Sequence, residues 1–228
     1  MNPKKISDYR PKILLIKYTK DPLKVISLAS NLTMKKSPTF ENDKISELVY
    51  NLFIMNHHSI FEHINYTFLI QNVSRSFMAQ LTRHRIGSFT CSSQHYQHYS
   101  DYGFAIDNKW ANNVFVQQSV DYAVENYNLL RRAGCPKEEA RQVLPNGMMV
   151  NILWTVNARS LINFLNLRLC KRNVKEIIIV AKKIKELCID HFPELFNYVG
   201  SDCFLGKCKQ NKMSCQNVHN KSKTIKEN

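Results

Sequence analysis

The chain has 228 residues, 44% of them apolar, and a net charge of +14. A chain of this length buries roughly 70% of its unfolded surface, so it needs no disulfide staples, and its seven cysteines are read as thiols in a reducing, cytoplasmic compartment. The apolar run Ile13–Ile16 is too short for a signal-peptide core, and no stretch reaches the roughly 20 apolar residues that cross a bilayer, so no membrane partner is expected. From Ser201 onward six lysines face only Asp202 and Glu227, so most of the positive excess belongs to the body of the chain. Such an excess favours anionic partners, either nucleic acid or small phosphorylated ligands.

In chain order, "KILLIKY" (12–18) predicts a strand. "DPLKVISLASNL" (21–32) predicts a helix, with Asp21 as its cap and Pro22 at its first position. A second helix is expected over 43–55, where Ile45, Leu48, Val49, Leu52 and Met55 recur at helical spacing, running into "NHHSIFEH" (56–63). "INYTFLIQNV" (64–73) is β-rich, and "SRSFMAQLT" (74–82) returns to a helical pattern behind Ser74. A long helix is predicted from Val114 to Arg132, with Val116, Val120, Ala123, Tyr127 and Leu130 inward and Gly134 as its stop. A short helix follows between Pro136 and Pro145, and two more over 157–172 and 174–192. After Gly200 the apolar pattern ends. The expected organisation is one α+β domain over 1–200 and a loosely ordered basic tail, rich in Cys, Lys and Asn, over 201–228.

Several polar clusters carry chemistry. Arg83, His84 and Arg85 stand at a predicted helix end, where cations compensate the dipole. The Gly- and hydroxyl-rich "IGSFTCSSQ" that follows offers donors to phosphate oxygens instead. No P-loop and no G-x-G-x-x-G is present. His58 and Glu62 are separated by three residues, and His58 and His63 lie five apart, so neither zinc-helix spacing is met. Cys203, Cys208, Cys215 and His219 lack tight C-x-x-C pairs, and no metal is expected. Arg159, Asn163 and Asn166 share one helix face, either as internal hydrogen-bonding groups or as a surface for a polar ligand. Arg141 has an ion-pair candidate in Glu138, three residues earlier.

Together these pieces resemble the flavin-dependent thymidylate synthases. "RHRIGSFTCSS", Arg83 to Ser93, has the R-H-R-x7-S pattern that marks the family. "HHSIFEH" looks like its His-x-Ser/Thr-x-x-Glu-His segment, and "EEARQVLP" and "WTVNARSLINFLNLRL" are similar to two later blocks. "GKCKQNKMSC" has a counterpart in some members. The likeness runs in order from about residue 12 to 215.

The resemblance implies a mostly antiparallel sheet flanked by helices, in a homotetramer with active sites at subunit interfaces. It implies FAD as cofactor, dUMP as methyl acceptor, methylenetetrahydrofolate as carbon donor and NADPH as reductant. Carried over by position, the FAD contacts are His57, Ser59, Arg83, His84, Arg85, Cys91, Asn157, Ala158, Arg159 and Asn163. The nucleotide contacts are Gln80, Leu81, Thr82, Arg83, Cys91, Ser92, Ser93, Gln94, His95, Arg141 and Arg168. Arg168 is implied to be catalytic, favouring ionisation of the uracil N3–H.

Two positions depart from the pattern. His95 stands where the family usually has an Arg. A charge-assisted hydrogen bond is worth roughly 1.5–3 kcal/mol, so binding would weaken about tenfold to a hundredfold unless His95 is protonated. Methylation of dUMP, methylation of another pyrimidine nucleotide such as UMP, and a degraded enzyme all follow as options. Cys91 stands where members have Glu or Gln; the cationic triplet nearby would lower its pKa, but no nucleophile is implied there. Outside the family, the net charge leaves a basic nucleic-acid-binding protein as the alternative, although no recognisable nucleic-acid module is present.

Overall fold

The structure, a computed structural model, describes residues 6–7, 9–34, 37, 41–93, 103–204, 206, 208 and 210–215. After a short strand β1 (Ile6–Ser7), β2 (Lys12–Tyr18) coincides with the predicted strand. Helix α1 (Pro22–Met34) opens on Pro22, but Asp21 is left-handed, φ 51°, rather than in the extended conformation of a typical cap. Helix α2 (Asn42–Ile54) stops before the histidines. Asn56 adopts φ 59°, and the Asn56 and His57 amides donate back to the carbonyls of Phe53 and Leu52. Those paired bonds end a helix on a left-handed residue. The chain then enters a 3-10 helix, His58–His63.

Strand β3 (Asn65–Ser74) passes directly into α3 (Arg75–Leu81). Next come β4 (Ser88–Cys91), β5 (Phe104–Ala105), α4 (Asn108–Ala111) and α5 (Val114–Arg132). Helix α5 has the predicted ends. Gly134, φ 89°, closes it, with the Gly134 and Cys135 amides donating to the Arg131 and Leu130 carbonyls. Its inward face is Val120, Val124 and Tyr127; Leu130, expected inside, is exposed. Helix α6 (Lys137–Ala140) continues as a 3-10 turn, Arg141–Val143. Strand β6 (Met149–Asn157) passes directly into α7 (Ala158–Arg168), followed by α8 (Lys175–His191) and α9 (Pro193–Phe196). Within 201–228 a 3-10 turn spans Asn211–Met213, and Arg172 Nη1 donates to Gln210 Oε1 at 3.1 Å.

The main sheet has the order β2-β3-β6-β4. Its strands run antiparallel: Thr19 bonds across to Asn65, Thr67 to Thr155, Asn72 to Asn151 and Ser92 to Asn151. β1 and β5 form a separate parallel pair, Ile6 beside Phe104 and Ser7 beside Ala105. The mixed helix-and-sheet architecture is the α+β class expected.

The chain divides into two compact units: Met1–Leu14 with Phe68–Arg85 and Phe89–Trp154, and Leu15–Thr67 with Ile86–Ser88 and Thr155–Asn228. The divisions fall inside β2, β3 and β6 rather than at a linker. In the first unit Phe104, Val120, Val124 and Met148 form a buried cluster, flanked by Ile106 and Leu144. Phe68 and Phe89 each lie 6.0 Å from the buried Trp154 ring. In the second unit α7 packs on the His58–His63 helix and on α8, α1 on α2, and α2 on α9. Ile26, Val49, Phe61, Leu161, Val180 and Phe196 fill its core.

Candidate active site

The site residues expected from the sequence fall into two groups, one in each unit. In the second unit, the His58–His63 helix is fixed by His58, whose ring stacks on Phe53 at 5.3 Å and whose Nε2 lies 3.0 Å from the Phe53 carbonyl oxygen. His58 is therefore structural, while His57 and Ser59 are exposed. Helix α7 docks beside them: the Ala158 amide donates to the Ile64 carbonyl at 2.7 Å, and Arg159 pairs with Glu62. Asn157 caps the helix, its Oδ1 accepting from the Ser160 amide at 2.8 Å. Asn163 is exposed, whereas Asn166 Oδ1 is buried with no partner among the described residues. At the helix end, Arg168 is half buried; burial pushes its pKa below the ordinary guanidinium value. Its Nη1 donates to Asn173 Oδ1 at 3.4 Å, and Asn173 Nδ2 donates to the Leu167 and Cys170 carbonyls.

In the first unit, Ser74 caps α3 by accepting from the Phe77 amide at 2.9 Å. Leu81 is fully buried, Gln80 is half buried, and Thr82 ends the helix with its Oγ1 bonded to the Met78 carbonyl at 3.0 Å. The chain leaves through Arg83, His84 and Arg85; Arg83 and Arg85 are exposed and make no ion pair or side-chain hydrogen bond with a described residue. After β4, Cys91, Ser92 and Ser93 are half buried, and the Ser92 amide donates to the Asn151 carbonyl at 2.9 Å. Gln94 and His95 lie outside the described residues. Arg141 does not use its guanidinium on the Glu138 carboxylate as expected; its Nε donates to the Glu138 carbonyl at 3.0 Å.

Arg75 is the residue that the sequence reading missed. It is half buried, and its side chain has no hydrogen bond or ion pair with a described residue. Burial pushes its pKa below the ordinary value, nearby Arg141 adds to the depression, and Cys91 opposes it. The expected effect of the cationic triplet on Cys91 is also corrected. Burial raises the Cys91 pKa, and the cation that works against this is Arg75.

No group of three or more His, Cys, Asp or Glu among the described residues is placed to hold a metal, and all seven cysteines are free. No helix among them is long and apolar enough to cross a membrane. One cavity of about 620 Å³ in the second unit is lined by Tyr18, Asp190 and His191 among others and by none of these site residues, so its size says nothing about the chemistry.

The family described as thymidylate synthase complementing protein matches residues 14–194. The chain belongs to the flavin-dependent thymidylate synthases, a family of methyltransferases. Among members of that name, the one from Sulfurisphaera tokodaii is 35% identical over 204 residues, 85% of this chain and 79% of its own. The one from Geobacter sulfurreducens is 32% identical over 216 residues, 90% of this chain and 93% of its own. Among solved structures, a UMP/dUMP methylase, PolB from Streptomyces cacaoi bound with 5-Br dUMP, superposes with a TM-score of 0.73. It covers 84% of this chain and 95% of that one at 22% identity, a likeness of fold. The flavin-dependent thymidylate synthase match spans both residue groups, from the His58–His63 helix to Arg168.

Proposed function

We propose that this chain catalyses the FAD-dependent reductive methylation of dUMP to dTMP, with methylenetetrahydrofolate as carbon donor and NADPH as reductant. Membership of the family supports the reaction class. The observation that carries the nucleotide is the arginine pair Arg75 and Arg141 beside Cys91, which makes no ion pair among the described residues. The Arg141 charge disfavours the Arg75 cation, and a 5′-phosphate near both would relieve that repulsion. Arg141 commits its Nε to Glu138, which orients the fork and leaves the terminal nitrogens for a ligand.

The donor set also fits a flavin dinucleotide. Arg83 and Arg85 expose unneutralised charge suited to a diphosphate, and His57, Ser59 and Asn163 expose polar groups. Bound in reduced form, FAD supplies the hydride equivalent that turns a transferred methylene into a methyl group. Uracil C5 is a poor nucleophile until negative charge enters the ring. Arg168, held by Asn173, is suited to stabilise the ring anion formed when N3 loses its proton. Burial raises the Cys91 pKa, so Cys91 is read as a neutral contact, not an attacking thiolate. The proposal includes a cytoplasmic homotetramer with interfacial active sites, as the family resemblance implies.

Purified protein is expected to carry flavin absorption, to release FAD on denaturation, and to form dTMP from dUMP with NADPH and methylenetetrahydrofolate. Colourless protein that forms no dTMP would refute the reading. His95, in the position of the family's usual Arg, favours a second reading in which the acceptor is UMP or another pyrimidine nucleotide. Steady-state kinetics of the native chain and His95→Arg with dUMP and UMP separate the two, and turnover of UMP alone removes dUMP as substrate.

A further inference from the structure

We propose that Asn151 is a positioning residue for nucleotide binding, tying the loop at Ser92 to the bend that launches α3. The inference rests on reading Gln80–Arg83 and Cys91–Ser93 as nucleotide contacts, and Asn151 lies outside every set of residues implied by the family.

Asn151 sits in β6, between β3 and β4. Its backbone faces β4. The Ser92 amide donates to the Asn151 carbonyl at 2.9 Å, the Asn151 amide donates to Ser92 Oγ at 3.0 Å, and Ser92 Oγ donates to the same carbonyl at 3.2 Å. Its side chain faces β3, where Oδ1 accepts from the Asn72 amide at 3.1 Å. Asn72 has φ 60°, a left-handed residue inside a strand and two positions before the helix cap Ser74. A left-handed residue interrupts the regular ladder at that point, so its amide needs a substitute acceptor. Asn151 supplies it. One residue thus fixes both the bend that aims Arg75, Gln80 and Arg83, and the hydroxyl loop that follows β4.

Asn151→Leu removes the acceptor at similar bulk, and Asn151→Asp keeps an oxygen in its place. In folded protein, the Leu variant is expected to bind dUMP about fivefold more weakly by calorimetry, the size of one net hydrogen bond. It should also exchange amide protons faster in a peptide covering 70–76, measured without ligand, because only the Asn72 bond uses the side chain. The Asp variant should return both to within twofold of native. A role in stability alone would lower the melting temperature and leave the dissociation constant of the folded protein unchanged. A Leu variant that binds dUMP within twofold of native overturns the inference. If the native chain binds no dUMP, the substrate reading fails instead; exchange then decides, and an unaltered 70–76 peptide in the Leu variant overturns the brace.

Discussion

Two strands of the main sheet turn directly into helices, using the same local device with opposite electrostatics. At the first corner β3 ends on Ser74, whose Oγ accepts from the Phe77 amide, while the Arg75 amide donates to the Met148 carbonyl at 3.0 Å. At the second corner β6 ends on Asn157, whose Oδ1 accepts from the Ser160 amide, while the Ala158 amide donates to the Ile64 carbonyl. Each helix start thus meets its orphan donors with a cap and a flanking backbone carbonyl. The arginines that follow differ. Arg159 is exposed and paired with Glu62, whereas Arg75 is half buried beside Arg141 with no carboxylate partner among the described residues. A cation in the first turn already opposes the helix dipole. Burial and a like charge make Arg75 costlier still, and the nucleotide phosphate proposed above would offset that cost.

The largest effect that separates the corners is kinetic. Arg75→Leu is expected to lower kcat/KM for dUMP about a hundredfold, the upper range for a charge-assisted contact, without lowering the melting temperature. Arg159→Leu should leave the KM for dUMP within about threefold and lower flavin retention instead. Equal losses of dUMP turnover at both positions would erase the distinction. The caps should behave alike: Ser74→Ala and Asn157→Ala each remove about 1 kcal/mol, or roughly 2–4 °C in a thermal melt of a chain this size. A melt unmoved by either change means that the corner is held by something else.

The smallest effect concerns thiols. Folding raises the pKa of Cys91, and that of Cys188 in the second unit, both through burial. The folded chain therefore holds these protons more tightly than the unfolded chain does. Their contribution to stability is complete below the ordinary thiol value of 9.0 and declines as pH rises from there. Denaturation midpoints should be level from about pH 7 to 8 and lower at about pH 10. Because Arg75 opposes the shift at Cys91, Arg75→Leu should slow alkylation of Cys91 a fewfold at about pH 8. Faster alkylation would contradict the placement of that charge.

Much of this was legible in the sequence where a pattern is local. The ends of α5 follow from its apolar spacing and Gly134, and β2 from the apolar run Ile13–Ile16 with Tyr18 beyond it. Strand β6 was not legible as an element: Val150, Ile152, Trp154 and Val156 alternate inward, but Met149 and Leu153 are apolar too and blur the period. The Arg83–Arg85 cluster is evident because its charges are adjacent. Arg75 is not, because it reads as one residue of a helix start, and its meaning comes from Cys91 and Arg141, which the fold brings near. Asn72 and Asn151 look like ordinary polar residues of β-rich stretches until the backbone at Asn72 is seen to be left-handed.

The most direct test of the first corner is the affinity of native protein and Arg75→Leu for dUMP and for deoxyuridine, which lacks the phosphate. The native chain should prefer dUMP by about a hundredfold or more, and the variant should lose most of that preference while binding deoxyuridine nearly as before. An undiminished preference in Arg75→Leu would contradict an anion site at Arg75 and Arg141.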